Sequence, residues 1–271
     1  MVTTRLHWTD LPQVVRAEIE ARTGSIQRAE TVSGGYNSEI AVRLDTDSGA
    51  IFVKGLRNDH PRAWTQRREA AIAPYTGQLA PPLLWHLESA GWDLLGFAFV
   101  EEGRHADYSA DSPDLLLLAD SLTALAEIPA PAVELKRAED RWAAYIPDPV
   151  HRAALAGRCL AHTDFNPENV IITSDRRAVL VDWAWSTAAA PWLDPALGCI
   201  WLIATGKQTP AEAERWAARM PAWRTAPPDA LDIFAQANAR LWAEIADENP
   251  GAWSDSLRDA AQQYAMFRNG T

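Results

Sequence analysis

Residues 161–185 read AHTDFNPENVIITSDRRAVLVDWAW, and the polar interruptions in this stretch decide the fold. Asp164 stands two residues after His162, Asn169 five after Asp164, and Asp182 thirteen after Asn169. The runs around them are apolar and strand-forming. A carboxylate among valines and tryptophans is costly unless it takes a proton, a metal or a cation. DFNPEN reads as a loop, because Pro167 and two asparagines oppose continuation of a helix or a strand. NVIIT and AVLVDW read as strands joined by the turn SDRR, so the hairpin returns Asp182 towards Asn169. A carboxylate and an amide oxygen are hard ligands suited to Mg²⁺. Asp164, in the same loop, is then placed to accept a proton from a substrate hydroxyl. Any one of the three is more simply a solvated structural residue; the ordered trio with its flanking strands reads as a catalytic site.

The order matches that of protein kinases, in which a loop H-R-D-x-x-x-x-N precedes a metal-binding aspartate beyond the next hairpin. Such a site needs a phosphate clamp upstream, and AIFVK at 50–54 supplies a candidate. Lysine is rare here: only Lys54, Lys136 and Lys207 occur, against 22 arginines. In a strand of period two, Phe52, Lys54 and Leu56 share a face, so Lys54 points inward. A buried ammonium needs partners. ATP phosphates and a helix glutamate would provide them, and Glu69 is the natural choice because Glu88 lies too near the next strand. The plainer alternative is a lysine snorkelling from an edge strand. Between the first two strands, SGGYNS offers Gly34 and Gly35 for close backbone approach to phosphates and Ser38 as a hydroxyl donor. A plain hairpin turn explains two glycines equally well. If Phe97 limits the depth of a purine pocket, the Ala98 carbonyl and the Val100 amide are the expected adenine contacts.

Working outward, TDLPQVVRAEIEARTG predicts a first helix with Asp10 as N-cap and Gly24 as terminator. SIQRAETV, SEIAVRLD, GAIFVKGL and WDLLGFAFVEEG predict strands. HPRAWTQRREAAIAPYTG predicts a helix started by Pro61 and stopped by Gly77. From DSPDLLLLADSLTALAEIP onward helices dominate, with the hairpin of 170–182 as the exception. DPALGCIWLIATG, PAEAERWAARM, PDALDIFAQANARLWAEIADE and WSDSLRDAAQQYAMF are all helical in pattern. Strands followed by helices argue for an α+β chain in two lobes. The expected division is a nucleotide-binding lobe over 1–100, a hinge over 101–104, and a helical lobe with the catalytic loop and acceptor site over 105–271.

At 271 residues and 48% apolar content the chain can bury a proper core. Its net charge of −11 argues against nucleic acid or an anionic membrane as partner. Residues 1–100 hold 11 acidic and 10 basic groups, whereas 101–271 hold 25 and 15. The helical part therefore carries the acidity, which suits a small cationic acceptor. Asp107, Asp232, Glu244 and Asp247 are candidates for attracting it. Cys159 and Cys199 are too few for a disulfide framework and lack metal-ligand spacing. They read as small buried hydrophobes. The N-terminus has no apolar signal region, and no apolar run is long enough to span a bilayer. A cytoplasmic protein with no obligate protein partner is expected.

His162 reads as a structural support of the loop, and Asp194, in WLDPALG, as a helix cap that braces the same loop. Trp183 and Trp185 either border the acceptor pocket or pack in the core; thirteen tryptophans in the chain favour packing. From TVSGGYNSEI to DPALGCIWLI, the ordered residues resemble the aminoglycoside phosphotransferase family of small-molecule kinases, which has a bilobal protein-kinase-like fold. That family's loop reads H-G-D-x-x-x-x-N and its metal aspartate lies in I-D-W; here they stand as HTDFNPEN and VDW. The resemblance implies Asp164 as catalytic base, Asn169 and Asp182 as Mg²⁺ ligands, and Lys54 paired with Glu69 on the phosphates of ATP or another nucleoside triphosphate. Thr163 replaces the usual glycine and restricts the loop. Only eleven residues separate Asp182 from Asp194, with no A-P-E segment, which disfavours a protein substrate. The expected activity is transfer of the γ-phosphoryl group to a hydroxyl of a small cationic molecule such as an aminoglycoside. Kinases of choline-, homoserine- or thiosugar-like acceptors and a catalytically silent binding module are the alternatives. A metal hydrolase built on His162 and Asp164 is disfavoured, since the other histidines (7, 60, 86, 105 and 151) supply no further ligands in sequence.

Overall fold

Helix α1 (Gln13–Thr23) starts directly after Pro12 and ends at Gly24, whose φ of 80° favours glycine. Asp10 does not cap it. Its carboxylate instead accepts the His7 backbone N–H at 2.8 Å and closes a separate 3₁₀ turn over Trp8–Asp10. The local bond competes with the cap, so the helix begins later than the sequence suggests. A computed structural model describes residues 5–32 and 38–270 of the chain. They divide into two compact units: Met1–Gly103 with Val181–Ala184, and Arg104–Leu180 with Trp185–Thr271.

In the first unit, β1 (Ile26–Thr31), β2 (Ile40–Thr46), β3 (Gly49–Arg57), α2 (Trp64–Ile72), β4 (Leu83–Ser89) and β5 (Trp92–Ala98) follow in order. The strands form one antiparallel sheet in the order β1-β2-β3-β5-β4. Period-two alternation gives the sheet two different faces. Val42, Leu44, Ile51, Val53, Leu87 and Leu94 pack with Leu11, Val15 and Ile19 of the α1 segment in one core. Each such side chain contributes on the order of 1.5–3 kcal/mol through burial. The opposite face, carrying Lys54, receives α2. Strand β4 is the one the sequence pattern missed. It follows a Pro81–Pro82 pair, lies at the sheet edge and buries only Leu87 fully, so its apolar alternation is weak. Its Trp85 occupies the space where a Cβ at Gly96 would stand, 2.2 Å from that position, so glycine at 96 is a packing requirement. Helix α2 starts at Trp64, three residues past Pro61, and gives way to 3₁₀ turns over Ala73–Tyr75 and Gly77–Leu79.

The second unit runs through β6 (Arg104–His105), α3 (Asp114–Ala126), β7 (Lys136–Arg137), α4 (Ala138–Arg141), α5 (Pro149–Ala153), β8 (Cys159–Ala161), β9 (Val170–Ile172), β10 (Ala178–Leu180) and β11 (Thr187–Ala189). Helices α6 (Leu193–Ala204), α7 (Pro210–Ala217), α8 (Pro221–Arg224), α9 (Pro228–Glu248) and α10 (Ala252–Arg268) complete it. The expected 170–180 hairpin is present as β9 and β10, joined in a small sheet by β6. A second small sheet, β7-β11-β8, was not expected; strands of two or three residues leave no readable period. Every residue of α6 is buried, as an apolar helix surrounded by others must be. Helix α7 opens on a reciprocal cap in which Thr209 Oγ1 accepts the Glu212 N–H and the Glu212 carboxylate accepts the Thr209 N–H. The α+β class read from the pattern is borne out. No helix of the described residues is long and apolar enough to cross a membrane.

Candidate active site

The first unit holds a buried charge cluster. Lys54, in mid-β3 and only 8% exposed, pairs with Leu95 across the ladder and points to the α2 face. Its Nζ lies 2.6 Å from Glu69 Oε2 of α2 and 3.2 Å from Asp182 Oδ1. The Phe97 ring centroid is 6.0 Å away, within cation–π range. The Trp183 backbone also hydrogen-bonds Glu69. Burial pulls the Lys54 ammonium down, but the Asp182 and Glu69 carboxylates outweigh it and hold it above its ordinary value. The lysine is therefore charged. Burial also pushes the Glu69 carboxyl up, against the pull of Lys54. Asp182 stands at φ 63°, a conformation that aspartate tolerates better than most residues.

The second unit holds the loop. Thr163 adopts φ 66°, a rare state for a β-branched residue that costs on the order of 1–3 kcal/mol and persists only where its surroundings over-determine it. Asp194, buried in the first turn of α6, accepts the His162 N–H at 2.9 Å and the Thr163 N–H at 3.0 Å. The Asp164 N–H donates to His162 Nδ1 at 3.3 Å. Pro167–Asn169 forms a 3₁₀ turn capped by Asn166, whose side-chain oxygen accepts the Glu168 N–H. Asn169 Nδ2 donates to the Asp164 carbonyl at 3.3 Å, so the amide nitrogen is engaged by the loop and the oxygen is the end left as an acceptor. A carboxylate oxygen, as on Asp182, and an amide oxygen, as on Asn169, are each by their chemistry suited to Mg²⁺.

Burial pushes the Asp194 carboxyl up to about 7, against the pull of the two N–H donors and Arg141. An unfolded aspartate releases its proton near pH 4. Between about 4 and about 7 the folded state thus binds the extra proton, and the Asp194 contribution to stability falls as pH rises through that window. Urea unfolding at about pH 5 and about pH 8 should show the larger stability at the lower pH. In Asp194→Asn that difference should flatten; an undiminished slope in the variant would rule out Asp194 as its source.

Gly34 and Gly35 lie outside the described residues, and Ser38 is buried. At the proposed adenine edge, the Ala98 N–H donates to Pro82 O and the Phe99 N–H to Ala50 O. Among the described residues, the Val100 N–H has no backbone acceptor. Three of the four acidic acceptor candidates are engaged within their own unit. Asp107 accepts from Ser109, Asp232 pairs with Arg268, and Glu244 accepts the Tyr145 hydroxyl. Only Asp247 of that group shows no hydrogen bond among the described residues; Arg258 is raised chiefly by its hydrogen bond to Asp259, and Asp247 adds a smaller pull.

Three features escaped the sequence reading. Tyr108 is buried and donates its hydroxyl to Phe165 O at 3.0 Å, with burial and then Asp164 pushing its phenol upward. Arg141 reaches Thr163 Oγ1 at 2.6 Å. On the α2 face of the sheet, His86, Glu88 and Asp93 bring ligand atoms within 4.8 Å of one another. Asp93 pairs there with His86 at 2.8 Å and faces the Arg67 guanidinium at 3.9 Å. The alternation of His86 and Glu88 is the only sequence trace of that group, since Asp93 joins through strand register.

No curated protein matches the sequence. Among solved structures, the choline kinase LicA from Streptococcus pneumoniae is 15% identical, with a TM-score of 0.64 over 94% of this chain and 98% of that one. A thermostable mutant of the aminoglycoside phosphotransferase APH(4)-Ia in its apo form is also 15% identical, with a TM-score of 0.62 over 93% of this chain and 99% of that one. At this identity the likeness establishes a shared kinase-like fold. The family model described as the phosphotransferase enzyme family matches residues 101–228, and with the shared fold this bears out the chain's resemblance to that family.

Proposed function

We propose that the protein is a small-molecule kinase that transfers the γ-phosphoryl group of ATP to a hydroxyl of a small cationic acceptor. The observation that carries this reading is the buried Lys54 ammonium held between Glu69 and Asp182, upstream of a braced HTDFNPEN loop. Structures of LicA with AMP and of an APH(4)-Ia mutant with ADP and hygromycin B support a nucleotide and a small acceptor as substrates.

In this reading Lys54 directs its positive charge to the nucleotide phosphates, with Glu69 fixing the side chain from behind. Gly34, Gly35 and Ser38 cover the phosphates, and the Ala98 carbonyl and Val100 amide contact the adenine. Asp182 and Asn169 would hold Mg²⁺, which would neutralise charge on the phosphate oxygens. Asp164 orients the acceptor hydroxyl and takes its proton as the new oxygen–phosphorus bond forms and the bond to the β-phosphate oxygen breaks. Little covalent help is needed, because phosphoryl transfer is loose and is catalysed mainly by positioning and charge. His162 and Asp194 hold the loop in place. The acidity of residues 101–271 favours a cationic acceptor.

The test is ADP release with Mg·ATP across aminoglycosides, choline, homoserine and thiosugars, with mass spectrometry of each acceptor. One acceptor gaining a single phosphate group is the expected result. Nucleotide-dependent thermal stabilisation with no phosphorylated product from any hydroxyl compound would replace the enzyme by a binding module.

A further inference from the structure

Thr163, at φ 66°, directly precedes Asp164, so whatever holds its backbone also sets the direction in which the Asp164 side chain leaves the loop. Its hydroxyl belongs to a closed ring of hydrogen bonds. Arg141 Nη1 lies 2.6 Å from Thr163 Oγ1 and 2.7 Å from Thr187 Oγ1. Both hydroxyls donate to the Trp185 carbonyl oxygen, each at 2.8 Å, and Nη1 lies 3.3 Å from that oxygen. A terminal guanidinium nitrogen carries two hydrogens and a carbonyl oxygen two lone pairs, so these four groups satisfy one another. The ring is shielded: Thr163 is 7% exposed and Thr187 fully buried, which strengthens each bond and its cooperation with the next. The Arg141 guanidinium also lies 4.7 Å from the Trp142 ring centroid and 5.5 Å from that of Trp185, which fix its position. From the main-chain side, Asp194 accepts the Thr163 N–H.

We propose that Arg141 is a positioning residue for the reaction: by tying the Thr163 and Thr187 hydroxyls to the Trp185 carbonyl, it keeps Thr163 left-handed and so aims Asp164. The catalytic part of this claim rests on Asp164 being the proton acceptor. Without the ring, the β-branched Thr163 gains by relaxing to an ordinary φ, which turns the peptide leading into Asp164. Glycine holds a positive φ without help. The requirement for Arg141 therefore depends on the side chain at 163, whereas a merely structural arginine would be needed whatever stands there.

A double-mutant cycle separates the two. Arg141→Leu should lower kcat by about tenfold to a hundredfold, the cost of a small misplacement at a reacting group. Nucleotide affinity should stay within about twofold, and amide exchange over 162–165 should accelerate. Arg141→Lys, which keeps the charge but loses the planar stacked fork, should recover at most part of the rate. In a Thr163→Gly background, Arg141→Leu should cost less than about threefold and leave exchange in the loop unchanged, the mark of coupled residues. Equal losses in both backgrounds, or loop exchange indifferent to Arg141→Leu in the wild-type background, would overturn the proposal. A wild-type chain that transfers no phosphoryl group would sink the kinase reading, while the exchange pattern would still decide whether Arg141 holds the loop.

Discussion

Asp164→Asn should retain nucleotide and lose transfer. The substitution preserves side-chain shape and keeps an oxygen to accept the Asn166 N–H, which lies 3.5 Å from Asp164 Oδ1. The loop's anchors, from Asp194 to His162 and Thr163, involve the neighbouring backbone and remain. What disappears is the negative charge and the ability to take a proton from the acceptor hydroxyl. A positioned acid–base group contributes roughly 10²- to 10⁴-fold, and kcat should fall within that range while nucleotide affinity changes by no more than about twofold. Single-turnover phosphorylation beside nucleotide titration measures both. Unchanged turnover would remove Asp164 from the mechanism; a matching loss of nucleotide affinity would make it a binding residue instead.

Lys54→Met should weaken the protein as well as the activity. Glu69 is almost completely buried and Asp182 only partly open, and the ammonium between them is their common counterion. Removing one partner of a buried ion pair leaves the remaining charge uncompensated, at a cost of about 3–5 kcal/mol. The same substitution removes the positive charge offered to the phosphates, so productive nucleotide binding should fall with it. Adding Glu69→Gln to Lys54→Met should recover a substantial part of the stability, because the buried carboxylate is then gone too, and should recover none of the transfer activity. Urea unfolding of the single and double variants, with nucleotide titration, reads the two effects separately. If Lys54→Met unfolds at the wild-type midpoint, the cluster is not the buried counterion system described here. Recovery of transfer in the double variant would sink the phosphate role.

The inward lysine of AIFVK was legible because alternation along a strand is a local property: Ile51 and Val53 face the α1 core, and Lys54 faces the other way. The DFNPEN turn was legible because Pro167 and the asparagines restrict the backbone wherever they stand. Asp194 braces the loop but does not cap α6, whose N-cap is Trp192, because its carboxylate is taken by the His162 and Thr163 N–H groups. Strand β4 was not legible, since an edge strand that buries little leaves little alternation to read. The Asp10 cap was misread because two local hydrogen-bonding solutions compete for the same carboxylate, and its own His7 backbone wins.

By itself, then, the sequence determined the order of chemical groups, the periodicity that turns Lys54 inward and the turn that carries Asp164, because these arise from backbone preferences acting over a few residues. Only the tertiary structure decided that Lys54 sits on Asp182 as well as Glu69, that Arg141 closes a ring through Thr163 and Thr187, and that Asp93 stands opposite Glu88. Those pairings join segments brought together by strand register and packing, and a contact of that kind leaves no periodic trace along the chain.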